Sequence, residues 1–346
     1  MIQIKIYDKD MGELTAFNAG EFGSLGYKKT LGEIGDASFT LDINNSKVTT
    51  LNLQNYNRVE IINDGIIEWV GFIVKKSISF TVVQIRCLEL TAILKKRLVP
   101  SAYTLSGNVS TAVATLLAQI NGDDDTGITL GATDLTDSVN LTFERQDALS
   151  VLKSLADSVG AQFRLNTDRT IDFLSSVGQD LSASVLFSYR TTQPSLANIL
   201  KFDVSDDGDS IVSRSIGKSD ALSSTQDDAP LQAKYGVIEE FNNFRVANTQ
   251  GNLDDLTASK NQDSLYSPSL DLAPTVDDNF TIGDIVTIKI SNKLVNIDNT
   301  FQVLEKSVKI VNNQKSISVK INEIPKNIVN TIGDLKSKVS LLENNL

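Results

Sequence analysis

Apolar residues at every second position set the strongest constraint on this chain, and they are densest between Lys28 and Lys75. There Phe39, Leu41 and Ile43 alternate with polar residues, then Val59 and Ile61, then Val70, Phe72 and Val74. A period of two puts side chains on one face of a pleated strand, so the stretch reads as three strands sharing a buried side. Asp64-Gly65, between the second and third runs, supplies the two residues that accept positive φ in a tight hairpin turn. Gly32 and Gly35 precede the Phe39 strand and suit a bulge or a sharp bend where a sheet curls. Taken alone, the stretch is equally an antiparallel meander of no assignable function.

The same texture fills residues 1–98. Ile2, Ile4 and Ile6 open it as a first strand, and Val82, Ile85, Leu88, Leu90 and Ile93 carry it to a basic stop at Lys95-Lys96-Arg97. Many short strands with close turn signals predict a small β-barrel or sandwich. After Pro100 the period changes. Val109, Val113, Leu116, Leu117 and Ile120 lie on one face of a helix with Gly122 past its end. Leu149, Leu152, Leu155, Ala156 and Val159 mark a second helix from about Asp147, closed by Gly160. Phe163 and Leu165, a turn at Asn166-Thr167-Asp168, then Ile171 and Phe173 predict a hairpin behind it. Residues 99–184 thus read as an α/β domain with helices segregated from strands.

From 185 to 325 strand patterns return as a second β-barrel domain. Ser213 to Pro230, rich in Ser, Asp and Gln, reads as a long polar loop. TIGDIVTIKI, FQVLEKSVKI and SISVKINEI then echo the opening region in style, without repeat identity strong enough to call duplication. Beyond Pro325 the spacing becomes heptad: Ile328, Ile332, Leu335, Val339, Leu342 and Leu346 form one stripe of a C-terminal coiled-coil helix over 326–346, an oligomer interface. The fold class is therefore α+β, mostly β. With fewer than three heptads, burying the stripe does not offset the cost of ordering the helix, so the preceding domains must already associate.

Composition removes several classes. The chain has 346 residues, 41% hydrophobic and 22% charged, which is globular usage with room for more than one core. A net charge of −11 argues against a phosphate-neutralising surface as its main business. Histidine is absent, so Ser-His and Cys-His hydrolases and His-ligated zinc drop out. Cys87 is the single cysteine, lies in an apolar run, and reads as a small buried hydrophobe of a chain folded in a reducing cytoplasm. No apolar run approaches the roughly 18 residues of a membrane span, and no signal peptide is expected.

Candidate sites are few. Asp203-Val-Ser-Asp206-Asp207-Gly208-Asp209 opens like a calcium loop, but Arg214 stands at the twelfth position where a bidentate Glu is needed, so a solvated turn is the better reading. Asn121-Gly122-Asp123-Asp124-Asp125 reads as an exposed loop, with a weak metal contact as its alternative. Trp69, the single tryptophan, reads as a packing residue before it reads as a sugar platform. No Gly-rich phosphate loop occurs, and among 43 acidic residues a carboxylate pair at glycosidase spacing carries no signal. No catalytic, cofactor-binding or metal-ligating residue is assigned, and no cofactor is expected.

The order of these elements resembles the tail hub proteins of tailed bacteriophages, including baseplate hubs and the amino-terminal hub part of siphophage tail-associated proteins. The residues that carry the resemblance are TLGEIGDASFTLDINN, NRVEIINDG with WVGFIV, LTFERQDALSVLKSLADSVGAQFRLNTDRTIDFL, and FTIGDIVTIKI with FQVLEKSVKI. Within them, a helix ending in Gly160-Ala161-Gln162-Phe163-Arg164 before a short hairpin is the most telling. The resemblance implies a structural, non-enzymatic ring protein at the virion tail tip, made in the host bacterial cytoplasm. It implies a homotrimer whose two barrels form a pseudo-sixfold ring, between a distal tail or tail tube protein and the tip or fibre proteins. DNA would cross its lumen without specific binding, repelled by acidic walls. Ile332 and Val339 at a with Leu335 and Leu342 at d favour a parallel dimer in isolated coils, so the barrels would set the symmetry. The chain stops after the stripe, so receptor binding and lysis would fall to other proteins. Two other readings stand beside it: a peptidoglycan-degrading tail enzyme using an acid pair, and a distal-tail or carbohydrate-binding adaptor.

Overall fold

The computed structural model describes residues 1–323, apart from 123, 190–196, 245, 264, 275, 277, 292–295 and 312–313. The first region is β1 (Ile2–Tyr7), β2 (Glu13–Asn18), β3 (Phe22–Thr30), β4 (Asp36–Asp42), β5 (Arg58–Asn63), β6 (Ile66–Ile78) and β7 (Val82–Glu89), closed by a 3-10 helix at Leu90–Lys96. The central region holds β8 (Tyr103–Asn108), α1 (Val109–Asn121), β9 (Thr129–Thr133), β10 (Ser138–Phe143), α2 (Ala148–Val159), β11 (Gln162–Leu165) and β12 (Thr170–Leu174). The third region runs through β13 (Leu186–Tyr189), β14 (Ile199–Asp207), β15 (Arg214–Lys218), β16 (Ser223–Asp227), α3 (Ala229–Tyr235), β17 (Glu239–Asn243) and α4 (Gln250–Ala258). It ends with β18 (Leu265–Leu272), β19 (Ile285–Ser291), β20 (Asn296–Val311) and β21 (Gln314–Glu323).

Local chemistry explains most of these boundaries. Asp64 (φ 49°) and Gly65 (φ 84°) make the expected hairpin turn between β5 and β6. The Asp147 carboxylate accepts from the Ser150 N–H at 3.0 Å, capping α2 at its start, and Gly160 takes the left-handed conformation (φ 63°) that stops it. Asn108 caps α1 in the same way, through the Ser110 N–H at 2.9 Å.

The two β regions are not separate barrels. Their strands form one 13-stranded sheet in the order β14-β18-β21-β20-β3-β4-β7-β6-β5-β1-β2, with β19 attached along β20 and β13 along β19, and among the described residues its ends do not close on each other. Strand β20 makes the join, because its 16 residues outreach any one partner. Its first half pairs with β19, and Glu305–Val311 then pairs with Ser24–Thr30 of β3. Apolar packing follows the same plan. One core runs from Ile4, Ile6 and Phe39 through Tyr27 to Val308, Ile310 and Ile321, and a second surrounds α1 and α2.

Strand β6 serves both cores, which a single-face reading does not anticipate. Val70 and Phe72 pack toward the helices while Trp69 and Ile73 enter the sheet core. Gly71 permits this, since a Cβ there would lie 2.2 Å from both the Trp69 ring and the Leu88 carbonyl oxygen. Trp69 is fully buried, so it is not a sugar platform. Cys87 is likewise buried and unpaired.

Ser213 to Pro230 corrects the polar-loop reading, since it carries β15, β16 and the start of α3. The signal was hidden because small polar residues take the inward positions. Ser213, Ser215, Ser219 and Ser224 are buried and bond Gly236 O, Asn261, Ala247 O and Asp254. At Gly35 the backbone approaches Lys28 so closely that a Cβ would meet its carbonyl oxygen at 2.3 Å. Gly35→Ala should therefore lower stability in urea unfolding by about 3 kcal/mol or more. Gly251→Ala, in α4 with open space around it, should instead raise stability by about 0.5–1 kcal/mol.

Candidate functional site

The three regions meet at one joint, built on the turn between β3 and β4. Leu31 N–H donates to Leu304 O at 2.8 Å, and Gly32 N–H donates to Phe163 O at 3.0 Å, tying that turn to β20 and to β11. Gly32 has φ 66° and the Phe163 ring sits 3.9 Å from where its Cβ would be. Lys153 of α2 pairs with Glu33 on the same turn.

Side chains of β11 extend the joint into the third region. Gln302 is 1% exposed, and its Nε2 donates to Gln162 Oε1 at 2.8 Å, Val177 O at 3.1 Å and Gly283 O at 3.1 Å. Gln162 Nε2 donates back to Gln302 Oε1 at 2.9 Å. Arg164 Nη1 donates to Ile282 O at 3.0 Å while its Nε and Nη2 are held by Asn166 and Asp172. Gly178 (φ 98°) and Gly283 (φ 91°) touch backbone to backbone beneath this bridge. The buried Asp284 carboxylate accepts from Gln179 N–H at 2.9 Å and Thr281 N–H at 2.7 Å.

Charge is balanced locally around a cavity of about 330 Å³ lined by Tyr27, Lys29, Glu68, Arg164, Phe280 and Lys306 among others. Lys306 donates to Phe280 O at 2.6 Å, lies 4.5 Å over its ring, and pairs with Asp278. Lys315 pairs with the same Asp278 and approaches Glu68 at 3.8 Å, while the Tyr27 hydroxyl donates to Glu68. Burial, with Asp278 adding to it, pushes the Glu68 carboxyl up, and Lys315 and Lys306 oppose that shift. Behind the turn, Glu89 is buried and accepts from Gly35 N–H at 3.2 Å and Thr91 Oγ1 at 3.0 Å. Glu68 and Asp278 thus tie β6 and the segment before β19 to β3, β20 and β21, and Glu89 ties the end of β7 to Gly35, just before β4.

No family model matches the sequence, and no curated protein matches it. Solved structures do. A tail protein from Neisseria meningitidis MC58 aligns with TM-score 0.65 at 14% identity, over 93% of this chain and 96% of that one. The 43 kDa tail protein of prophage MuSo2 from Shewanella oneidensis aligns with TM-score 0.66 at 11% identity, over 93% and 97%. An E. coli type VI secretion component, described as structurally similar to T4 bacteriophage tail proteins gp27 and gp5, aligns with TM-score 0.53 at 9% identity, over 88% and 74%. This chain has the phage tail-protein fold.

In this tail-protein fold, the stretch that carried the resemblance is the clamp itself: Gly160 ends α2, and Gln162, Phe163 and Arg164 each contact a different part of the joint. Other sequence readings fare differently. The heptad residues Ile328, Ile332, Leu335, Val339, Leu342 and Leu346 lie outside the described residues. Asp203 lies within β14, opposite Ser269, and pairs with Lys201 at 3.1 Å, so the supposed calcium loop starts inside a strand and is not a turn there. Asp124 pairs with Arg97 at 2.9 Å and Asp125 accepts from Gly127 N–H at 2.8 Å. Asp123 is outside the described residues, among which no cluster fit to hold a metal occurs. Gln302, Asp284 and Glu89 were missed by sequence reasoning. Their one signal was a polar residue inside an apolar run, as in Phe301-Gln302-Val303, all three of which are buried.

Glu89 gives the joint a pH dependence. Burial pushes its carboxyl up from 4.5 to about 7, against the Lys29 charge and the bonds from Gly35 and Thr91. The folded chain holds this proton more tightly than the unfolded chain does. Its contribution to stability is therefore complete below pH 4.5 and is lost as pH rises through about 7. Glu89→Gln keeps an acceptor and cannot titrate. Urea midpoints should fall across that window in the parent and stay nearly level in the variant.

Proposed function

We propose that this chain is a structural hub of a phage tail tip or baseplate, whose copies associate as a trimeric ring. The ring joins a distal tail or tail tube protein to the tip or fibre proteins, in the virion, after synthesis in the host bacterial cytoplasm. The likeness of fold over nearly the full length of two tail proteins carries this reading. The stated similarity of the E. coli relative to T4 tail proteins supports the hub role in particular. A continuous sheet clamped at a buried polar joint also suits a part that transmits load.

The net charge of −11 agrees with a lumen that DNA crosses without sticking. We divide the chain near residues 98, 184 and 325 and assign the heptad stripe Ile328 to Leu346 a supporting contact between copies. The reading includes no catalysis.

Sedimentation at micromolar concentration tests the ring. Three copies per particle are expected, and a stable monomer would contradict the proposal. Ending the chain at Pro325 should weaken association without abolishing it. Cell-wall zymograms should show no clearing, and clearing would favour the acid-pair hydrolase instead.

A further inference from the structure

Away from the joint, five cations gather on an otherwise acidic chain. Two adjoining hollows of about 310 and 320 Å³ lie between the first region and the central region, and share Lys9, Arg58, Asp124 and Thr126 in their walls. Arg169 lines one and Lys96 and Arg97 the other. Three of these cations are matched: Lys9 pairs with Asp10 at 2.5 Å, Arg97 with Asp124 at 2.9 Å, and Arg169 with Glu60 at 3.0 Å.

Arg58 is not. Its Nη2 donates to Thr126 O at 3.3 Å, its Nη1 is buried without a partner, and no carboxylate among the described residues pairs with it. A guanidinium has only donors, so an oxygen must satisfy that nitrogen, and leaving a buried charged donor unmet is costly. Burial, then the neighbouring Arg169 and Arg97, push the Arg58 guanidinium below its ordinary range against the opposing charges of Asp124 and Asp125, and a bound anion would raise it.

The backbone around the cleft is unusual as well. Of the six non-glycine residues with positive φ among the described residues, three line it: Met11 (φ 70°), Tyr56 (φ 68°) and Arg169 (φ 71°). Such conformations cost energy and are held where the surroundings fix a geometry. The acidic residues in the walls do not make a cation site, since Asp124 is taken by Arg97 and Asp125 by Gly127 N–H at 2.8 Å.

We propose that this cleft binds one oxyanion, of the size of phosphate or a carboxylate group, with the Arg58 guanidinium as its principal partner and Lys9, Lys96 and Arg97 around it. Two sources offer that chemistry: a free ion, and an acidic side chain of a second copy of this chain. Equilibrium dialysis of the full chain against radiolabelled inorganic phosphate should find one saturable site per copy. Arg58→Gln should weaken it about tenfold or more, and Lys9→Gln, at a 74% exposed side chain whose loss leaves the fold intact, about threefold. Sedimentation in the same buffers separates the sources. An unchanged mass with phosphate bound assigns a free ion, and a mass lowered both by phosphate and by Arg58→Gln assigns a carboxylate of the second copy. Absence of saturable binding, or equal binding by the parent and both variants, would overturn the site. A trimer that binds no phosphate overturns this site alone and leaves the hub reading standing.

Discussion

The antiparallel pairing of Glu305–Val311 with Ser24–Thr30 is the contact on which the rest of the fold depends. Without it the chain would hold two sheets, each with an open edge. With it, every strand from β14 to β2 shares a continuous ladder. Edges of unpaired N–H and C=O groups invite wrong partners, and a 16-residue strand that finds β19 at one end and β3 at the other removes two of them at once.

Everything placed at the seam protects that pairing. In the β3–β4 turn Gly32 is left-handed, and Gly35 lacks the Cβ that would strike the Lys28 carbonyl oxygen of β3. The β11 hairpin closes over it through Gln162, Phe163 and Arg164, with each polar atom of the Gln162–Gln302 bridge satisfied inside the core. Buried polar networks raise stability only when complete, and they also fix one arrangement against its alternatives. That combination of rigidity and uniqueness holds the seam in a single arrangement.

Much of this was legible in the sequence, because the period of apolar residues is set by local geometry. The alternations around Phe39, Val59 and Val70, the Asp64-Gly65 turn, and both helices with their Asp147 and Gly160 ends follow from residue spacing and capping chemistry alone. What was not legible is long-range. No local rule says that β20 seeks β3, so the echo between the two β regions read as two barrels when it was one sheet. The third region misled for another reason: its serines face inward, so a pattern of small polar residues concealed β15 and β16. Likewise Arg58 stood unremarked in NRVEIINDG, because its surroundings, the Thr126 carbonyl and the Arg169 charge, come from far along the chain.

Native-state hydrogen exchange on the seam tests the central claim most directly. If the two β regions are one cooperative body, amides from Leu25 to Lys29 and from Lys306 to Ile310 will exchange only through the same global opening that exposes β4 and β7. Seam amides that exchange at much lower free energy, while both sheets stay protected, would show two bodies in loose contact and contradict the account.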